Sequence, residues 1–191
     1  MINLRKISAL LMALTFFVGC AGMHYNSGVR LLKKQKYDRA IDSFKNVLDK
    51  RPEDSKSLTM LGVAYYKKEM YGKALSNLTM ANNLRGNDKK TMLYLGMAYL
   101  RNKQIQEAIT EWNTYLEMFP YDKVSDSLKR NIAILKKGDA FPETVELMTS
   151  NIETVIDLER MILEKKYYEN LDRDYGHRHI FFHGRFHRRF K

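Results

Sequence analysis

Apolar residues recur along most of this chain at helical spacing, and the recurrence is itself repeated. Leu58, Leu61, Gly62 and Tyr65 fall at i, i+3, i+4 and i+7, one face of a helix, and Ala74, Leu78 and Ala81 trace the next. The same faces return 34 residues later at Met92, Leu95, Gly96 and Tyr99, then at Ala108, Trp112 and Tyr115. Gly28, Gly62 and Gly96 keep that interval, as do Ala40, Ala74 and Ala108, and Asp54, Asp88 and Asp122. Residues 21–122 therefore read as three helical hairpins, 21–54, 55–88 and 89–122. The small Gly and Ala positions let two helix axes approach, and Phe44, Leu78 and Trp112 fill the space beside them. Pro52, Gly86 and Pro120 end each second helix. The aspartate two residues after each of them stands where the N-cap of the following helix belongs.

After Asp122 the pattern changes. The places due to carry Leu, Gly and Tyr hold Lys129, Arg130 and Ala133, while Val124, Leu128, Ile132 and Leu135 trace a single stripe. Residues 123–137 are expected to be a capping helix, apolar inward and basic outward, because a stacked array must cover its last apolar face. Gly138 and Pro142 break the chain behind it. From Glu143 to Leu171 there is no breaker, and Val145, Met148, Ile152, Val155, Ile156, Ile162, Leu163 and Tyr167 predict one long amphipathic helix, 143–171. That stripe suits packing on the array, and it equally suits pairing with another subunit.

These positions resemble the tetratricopeptide repeat. The second copy carries the signature at Leu58, Leu61-Gly62, Tyr65, Ala74, Leu78 and Ala81, and the third at Met92, Leu95-Gly96, Tyr99, Ala108, Trp112, Tyr115 and Pro120. The first keeps Gly28, Ala40, Phe44 and Pro52 but has His24 and Ser27 where large apolar residues are usual. The resemblance implies an all-α, right-handed solenoid whose work is protein binding. It places a groove along Tyr25, Val29, Leu32 and Lys33, then Lys56, Thr59, Val63, Tyr66 and Lys67, then Lys90, Leu93, Met97, Leu100 and Arg101. Such a surface, apolar and aromatic with a basic edge, suits a peptide segment with hydrophobic anchors and some negative charge. The chain's own long helix is the alternative occupant. One subclass of the family clamps the terminal carboxylate of chaperones; of the matching places Tyr25, Val29, Met60, Lys90 and Tyr94, only Lys90 agrees, which argues against that role.

The N-terminus changes the setting. Arg5 and Lys6 precede an apolar run from Ile7 to Val18, the layout of a secretory signal over residues 1–19. As a helix, that run reaches only ~18 Å, too short to span about 30 Å of hydrocarbon. Phe17-Val18-Gly19-Cys20 resembles the bacterial lipobox, with Phe17 where leucine is usual, and Cys20 is the sole cysteine. The resemblance implies acylation of Cys20 and, with Ala21 in place of a retaining aspartate, a cell-envelope location at the outer membrane facing the periplasm. A plain signal peptide cut after Ala21 is the other reading.

Charge is concentrated at the opposite end. The chain of 191 residues carries a formal charge of +11, and from Arg173 onward six cations face Asp174 alone. This tail, residues 172–191, sets Phe182, Phe186 and Phe190 among Arg178, Arg185, Arg188 and Arg189. Helical and strand spacing both segregate its apolar and basic groups, which suits an anionic membrane surface; an untethered terminus is the plainer reading. His179, His183 and His187 are spaced by four without an accompanying carboxylate or cysteine, so no metal site is assigned. Export sets the tail apart from nucleic acid.

No Gly-rich phosphate loop, paired cysteines or nucleophile elbow is present, so neither an enzyme nor a cofactor or small-molecule substrate is expected. The sequence reads as a lipid-anchored adaptor or scaffold for envelope proteins, similar to the pilotin-like lipoproteins of secretin and pilus assembly. The alternative is a structural subunit of an envelope machine, docked by the long helix and tail.

Overall fold

The computed structural model describes residues 22–138 and 140–174. Among them eight helices follow one another, with no strand: α1 (22–33), α2 (Tyr37–Leu48), α3 (Ser55–Lys67), α4 (Tyr71–Leu84), α5 (Lys89–Arg101), α6 (Ile105–Met118), α7 (Ser125–Lys136) and α8 (Pro142–Asp174). The chain divides into two compact units between Thr149 and Ser150. The signal segment 1–19, Cys20 and the basic tail beyond Asp174 lie outside the described residues.

The first unit is a stack of hairpins. Helix α3 packs against α2, α4 and α5, and α5 in turn against α4 and α6, so these two helices lie between neighbours on several sides. Its composition follows: every residue from Ser57 to Tyr66 and from Thr91 to Ala98 is buried. The even helices bury one stripe each, Ala40, Phe44 and Val47 on α2, Ala74, Leu78 and Ala81 on α4, Ala108, Trp112 and Tyr115 on α6, and turn polar residues outward. Close approach within each hairpin depends on the repeated glycine. A methyl group at Gly62 would meet Leu78 Cγ at 2.6 Å, and one at Gly96 would meet Trp112 Nε1 at 2.1 Å.

The turns inside the hairpins use residues that the sequence did not mark. Gln35, Glu69 and Lys103, again 34 apart, adopt φ of 57°, 60° and 63°. Each is flanked by a six-to-one backbone bond, Lys36 N to Leu31 O, Met70 N to Tyr65 O and Gln104 N to Tyr99 O, which closes the preceding helix as a Schellman turn.

The three aspartates play unequal parts. Asp88 caps α5 by accepting the Thr91 N–H at 2.9 Å. Asp54 holds the N-cap position of α3, but its carboxylate accepts the Ser57 hydroxyl at 2.6 Å and no backbone N–H. Asp122 lies ahead of α7, whose N-cap is Val124, and accepts the Val124 N–H at 3.2 Å together with Lys89 Nζ. Helix α7 packs on α6, and Val124, Leu128, Ile132 and Leu135 are buried, as a cap requires.

The second unit, by itself, is the remainder of α8. From Leu163 to Asn170 every side chain is exposed, Leu163 by 67% and Tyr167 by 61%. Its charges pair along the helix, Arg160 with Asp157 at 3.1 Å and Lys165 with Glu169 at 3.7 Å. No helix among the described residues is long and apolar enough to cross a membrane.

Candidate functional site

The groove positions lie on α1, α3 and α5, and the structure sorts them into two classes. Thr59, Val63, Tyr66, Leu93, Met97 and Leu100 are buried, none more than 6% exposed. Tyr25, Val29 and Leu32 are half-buried, as are Lys67 and Arg101, while Lys33, Lys56 and Lys90 are exposed. The centre of the expected trough is therefore closed. Part of the reason is packing around α3: Tyr66 meets Tyr94 of α5 edge-on at 5.5 Å and Tyr71 of α4 at 5.6 Å, and Thr59 and Thr91 share a buried hydrogen bond of 2.7 Å.

A second reason lies at the end of α5. Arg101 Nε donates to the Tyr71 hydroxyl at 2.8 Å, its guanidinium stands 5.3 Å from the Tyr71 ring, and Nη1 donates to the Glu146 carboxylate. Burial disfavours the charge on Arg101, but the bonds to Glu146 and Tyr71 outweigh it and raise the pKa, so the guanidinium remains cationic. Glu146 is in the second turn of α8, which therefore begins beside the last turn of α5. Met148 and Thr149, in the same stretch, are each 3% exposed.

The opposite end of the odd helices is open. A cavity of about 270 Å³ is lined by Tyr25 of α1, Ser55, Lys56, Thr59 and Met60 of α3, Ala81 and Arg85 at the end of α4, and Asp88, Lys90 and Thr91 at the start of α5. Three cations thus face one carboxylate. That carboxylate is already engaged: Asp88 Oδ2 accepts the Thr91 N–H and, at 2.7 Å, the Thr91 hydroxyl. The Thr59 and Thr91 hydroxyl oxygens lie 2.7 Å apart, and with Thr59 also bonded to the Ser55 carbonyl at 2.9 Å and Thr91 to Asp88, this network ties the second and third repeats across the cavity. The Tyr25 hydroxyl is pushed above its usual pKa by burial and by the negative charges of Asp54 and Asp88, so it stays a proton donor.

Of the sequence-predicted groove residues, the cavity brings together Tyr25, Lys56, Thr59 and Lys90. Arg85 was missed because the family pattern draws its groove from first helices only. The one available signal was a lone cation directly before Gly86-Asn87-Asp88, the connector into the third repeat. Among the described residues no group of three or more His, Cys, Asp or Glu side chains is placed to hold a metal ion.

Residues 25–78 and residues 90–120 each match a family model described as tetratricopeptide repeat. No curated protein matches the chain. Among solved structures, the first TPR of Spaghetti (RPAP3), bound to the HSP90 peptide SRMEEVD, is similar at a TM-score of 0.59 and 24% identity, over 62% of this chain and 94% of its own. The Arabidopsis OM64 TPR domain gives 0.58 at 14% identity, over 61% and 97%. The Yersinia enterocolitica type III secretion translocator chaperone SycD gives 0.54 at 13%, over 70% and 94%. These likenesses identify the fold as a solenoid of tetratricopeptide-type hairpins, an architecture that serves protein–protein interaction.

Proposed function

We propose that this chain is a lipid-anchored adaptor that holds a segment of a cell-envelope protein on the face formed by α1, α3 and α5, at the outer membrane facing the periplasm. The observation that carries the reading is the relief of that face: a closed, aromatic centre on α3 and α5 beside a half-buried apolar shelf, Val29 and Leu32, on α1. Both residues offer apolar anchorage to such a segment. The Spaghetti domain, which shares this fold, holds a short peptide segment of another protein, SRMEEVD of HSP90. The lipobox-like run before Cys20 supports the anchor, and assembly of a secretion or pilus complex is the process we assign.

The test is crosslinking in intact cells followed by affinity capture. Tyr66 and Met97 are buried, so replacing them risks the fold. Val29→Ser with Leu32→Ser is the cleaner variant, expected to lose at least one crosslinked envelope protein while keeping the helical circular dichroism of the parent. An unchanged set of crosslinked proteins rejects the adaptor. Palmitate labelling that persists in Cys20→Ala rejects the anchor.

A second reading, a structural subunit docked through α8, is favoured by one observation: the exposed Leu163, Tyr167 and Tyr168 near that helix's end.

A further inference from the structure

The open cavity and the acylation site lie close together along the chain. Tyr25, which lines the cavity, is five residues from Cys20, and five residues reach at most about 18 Å when fully extended. If Cys20 carries acyl chains in the bilayer, that tether holds the Tyr25 end of the cavity within reach of the lipid headgroups. We propose that this cavity binds the phosphate of an anionic lipid headgroup and seats the array against the membrane that anchors it; the proposal rests on the lipid-anchored reading above.

The lining has the chemistry for it. Lys56 and Arg85 are exposed and enter no ion pair among the described residues, and Lys90 adds a third cation to the wall. They converge from three places, the first turn of α3, the end of α4 and the first turn of α5, so no one helix end makes the site. The Tyr25 phenol supplies a neutral donor. Asp54 and Asp88 oppose an anion near Tyr25, but Asp88 Oδ2 is taken by two hydrogen bonds from Thr91, Asp54 accepts the Ser57 hydroxyl, and the three cations outnumber them. Guanidinium and ammonium donors around a pocket of about 270 Å³ suit a phosphodiester, which keeps its negative charge at neutral pH.

The experiment uses the full chain with Cys20→Ala, so that acyl chains do not mask the headgroup contribution. Binding to phosphatidylcholine vesicles with and without phosphatidylglycerol is compared with binding of the same chain carrying Lys56→Gln and Arg85→Gln. Each cation near an anionic surface contributes about fivefold in affinity, so the double variant should bind phosphatidylglycerol vesicles roughly 25-fold more weakly at low salt. Inorganic phosphate, read by thermal shift, separates the sources. Stabilisation of the parent and not the variant by free phosphate, with equal vesicle binding, makes the site one for a soluble anion and overturns the proposal. Equal vesicle binding without any phosphate effect overturns it too, as does a loss confined to a synthetic acidic peptide. The Val29→Ser, Leu32→Ser chain should keep full vesicle binding. Failure of the adaptor reading therefore leaves this result untouched, and palmitate labelling judges the anchor separately.

Discussion

The repeat array and the far part of α8 are both helical, and both carry apolar side chains at helical spacing, yet they use them oppositely. In the array most large apolar residues are covered at positions set by the 34-residue register, and Trp112, Tyr115, Met97 and Leu78 have no more than trace exposure. Along α8 from Leu163 onward the apolar groups face solvent. Periodicity therefore reports that a helix has an apolar face and says nothing of whether the chain itself covers it. In the array a second periodicity, that of Gly under an aromatic or leucine, reports the cover as well.

The largest effect is expected where that cover is tightest. Gly96→Ala places a methyl group 2.1 Å from Trp112 Nε1 and 2.4 Å from its Cδ1, and the indole is fully buried with no room to yield. Overpacking of this kind costs about 3 kcal/mol, and in a chain this size lowers the melting temperature by roughly 10 °C. A fall of only a degree or two in a circular dichroism melt would show that α5 and α6 separate easily and would erase the contrast with α8.

A smaller loss is expected at Asp122, which is buried where Lys89 and the Val124 N–H meet it. Burial alone would raise its pKa, but the bonds from Lys89, Val124 and Tyr115 prevail and lower it. A carboxyl depressed in the folded state adds stability above its unfolded value, near 3.8, and that stability disappears as pH falls through the lower folded value. Asp122→Asn should cost about 2 kcal/mol at neutral pH, with the two melting curves converging in acid. A gap independent of pH would assign the loss to packing and not to charge.

The smallest effect belongs to α8. Leu163→Ser with Tyr167→Ser should change stability by less than about 1 kcal/mol, because both side chains are already in water. A drop comparable to that of Gly96→Ala, growing with protein concentration, would mean that an associated copy covers this face.

Much of the fold was legible because it is written locally and repeated. The 34-residue spacing of Gly62 and Gly96 located the hairpins, and the stripe of Val124, Leu128, Ile132 and Leu135 identified the cap. The site was legible only in part. Val63 and Met97 were placed along the groove by their positions on α3 and α5, but how deeply each lies depends on side chains from other helices, which helical spacing alone does not report. Arg85 escaped for the same reason, entering the cavity from a connector. Asp122 matched its repeat position yet caps no helix in the manner of Asp88, since α7 begins three residues further on.

The corners at Gln35, Glu69 and Lys103 have a consequence for how such an array can change. Left-handed backbone at a non-glycine residue costs about 1 kcal/mol, and here it recurs at all three corners. The bonds that enforce it run between backbone groups on either side, so the bend is specified without any help from the side chain at its apex. That residue is exposed in each case and carries in turn an amide, an acid and a base. The array thus has three outward corners where charge can be exchanged with no change in the pitch from one hairpin to the next, which leaves its surface free to diverge while its spacing is conserved by geometry.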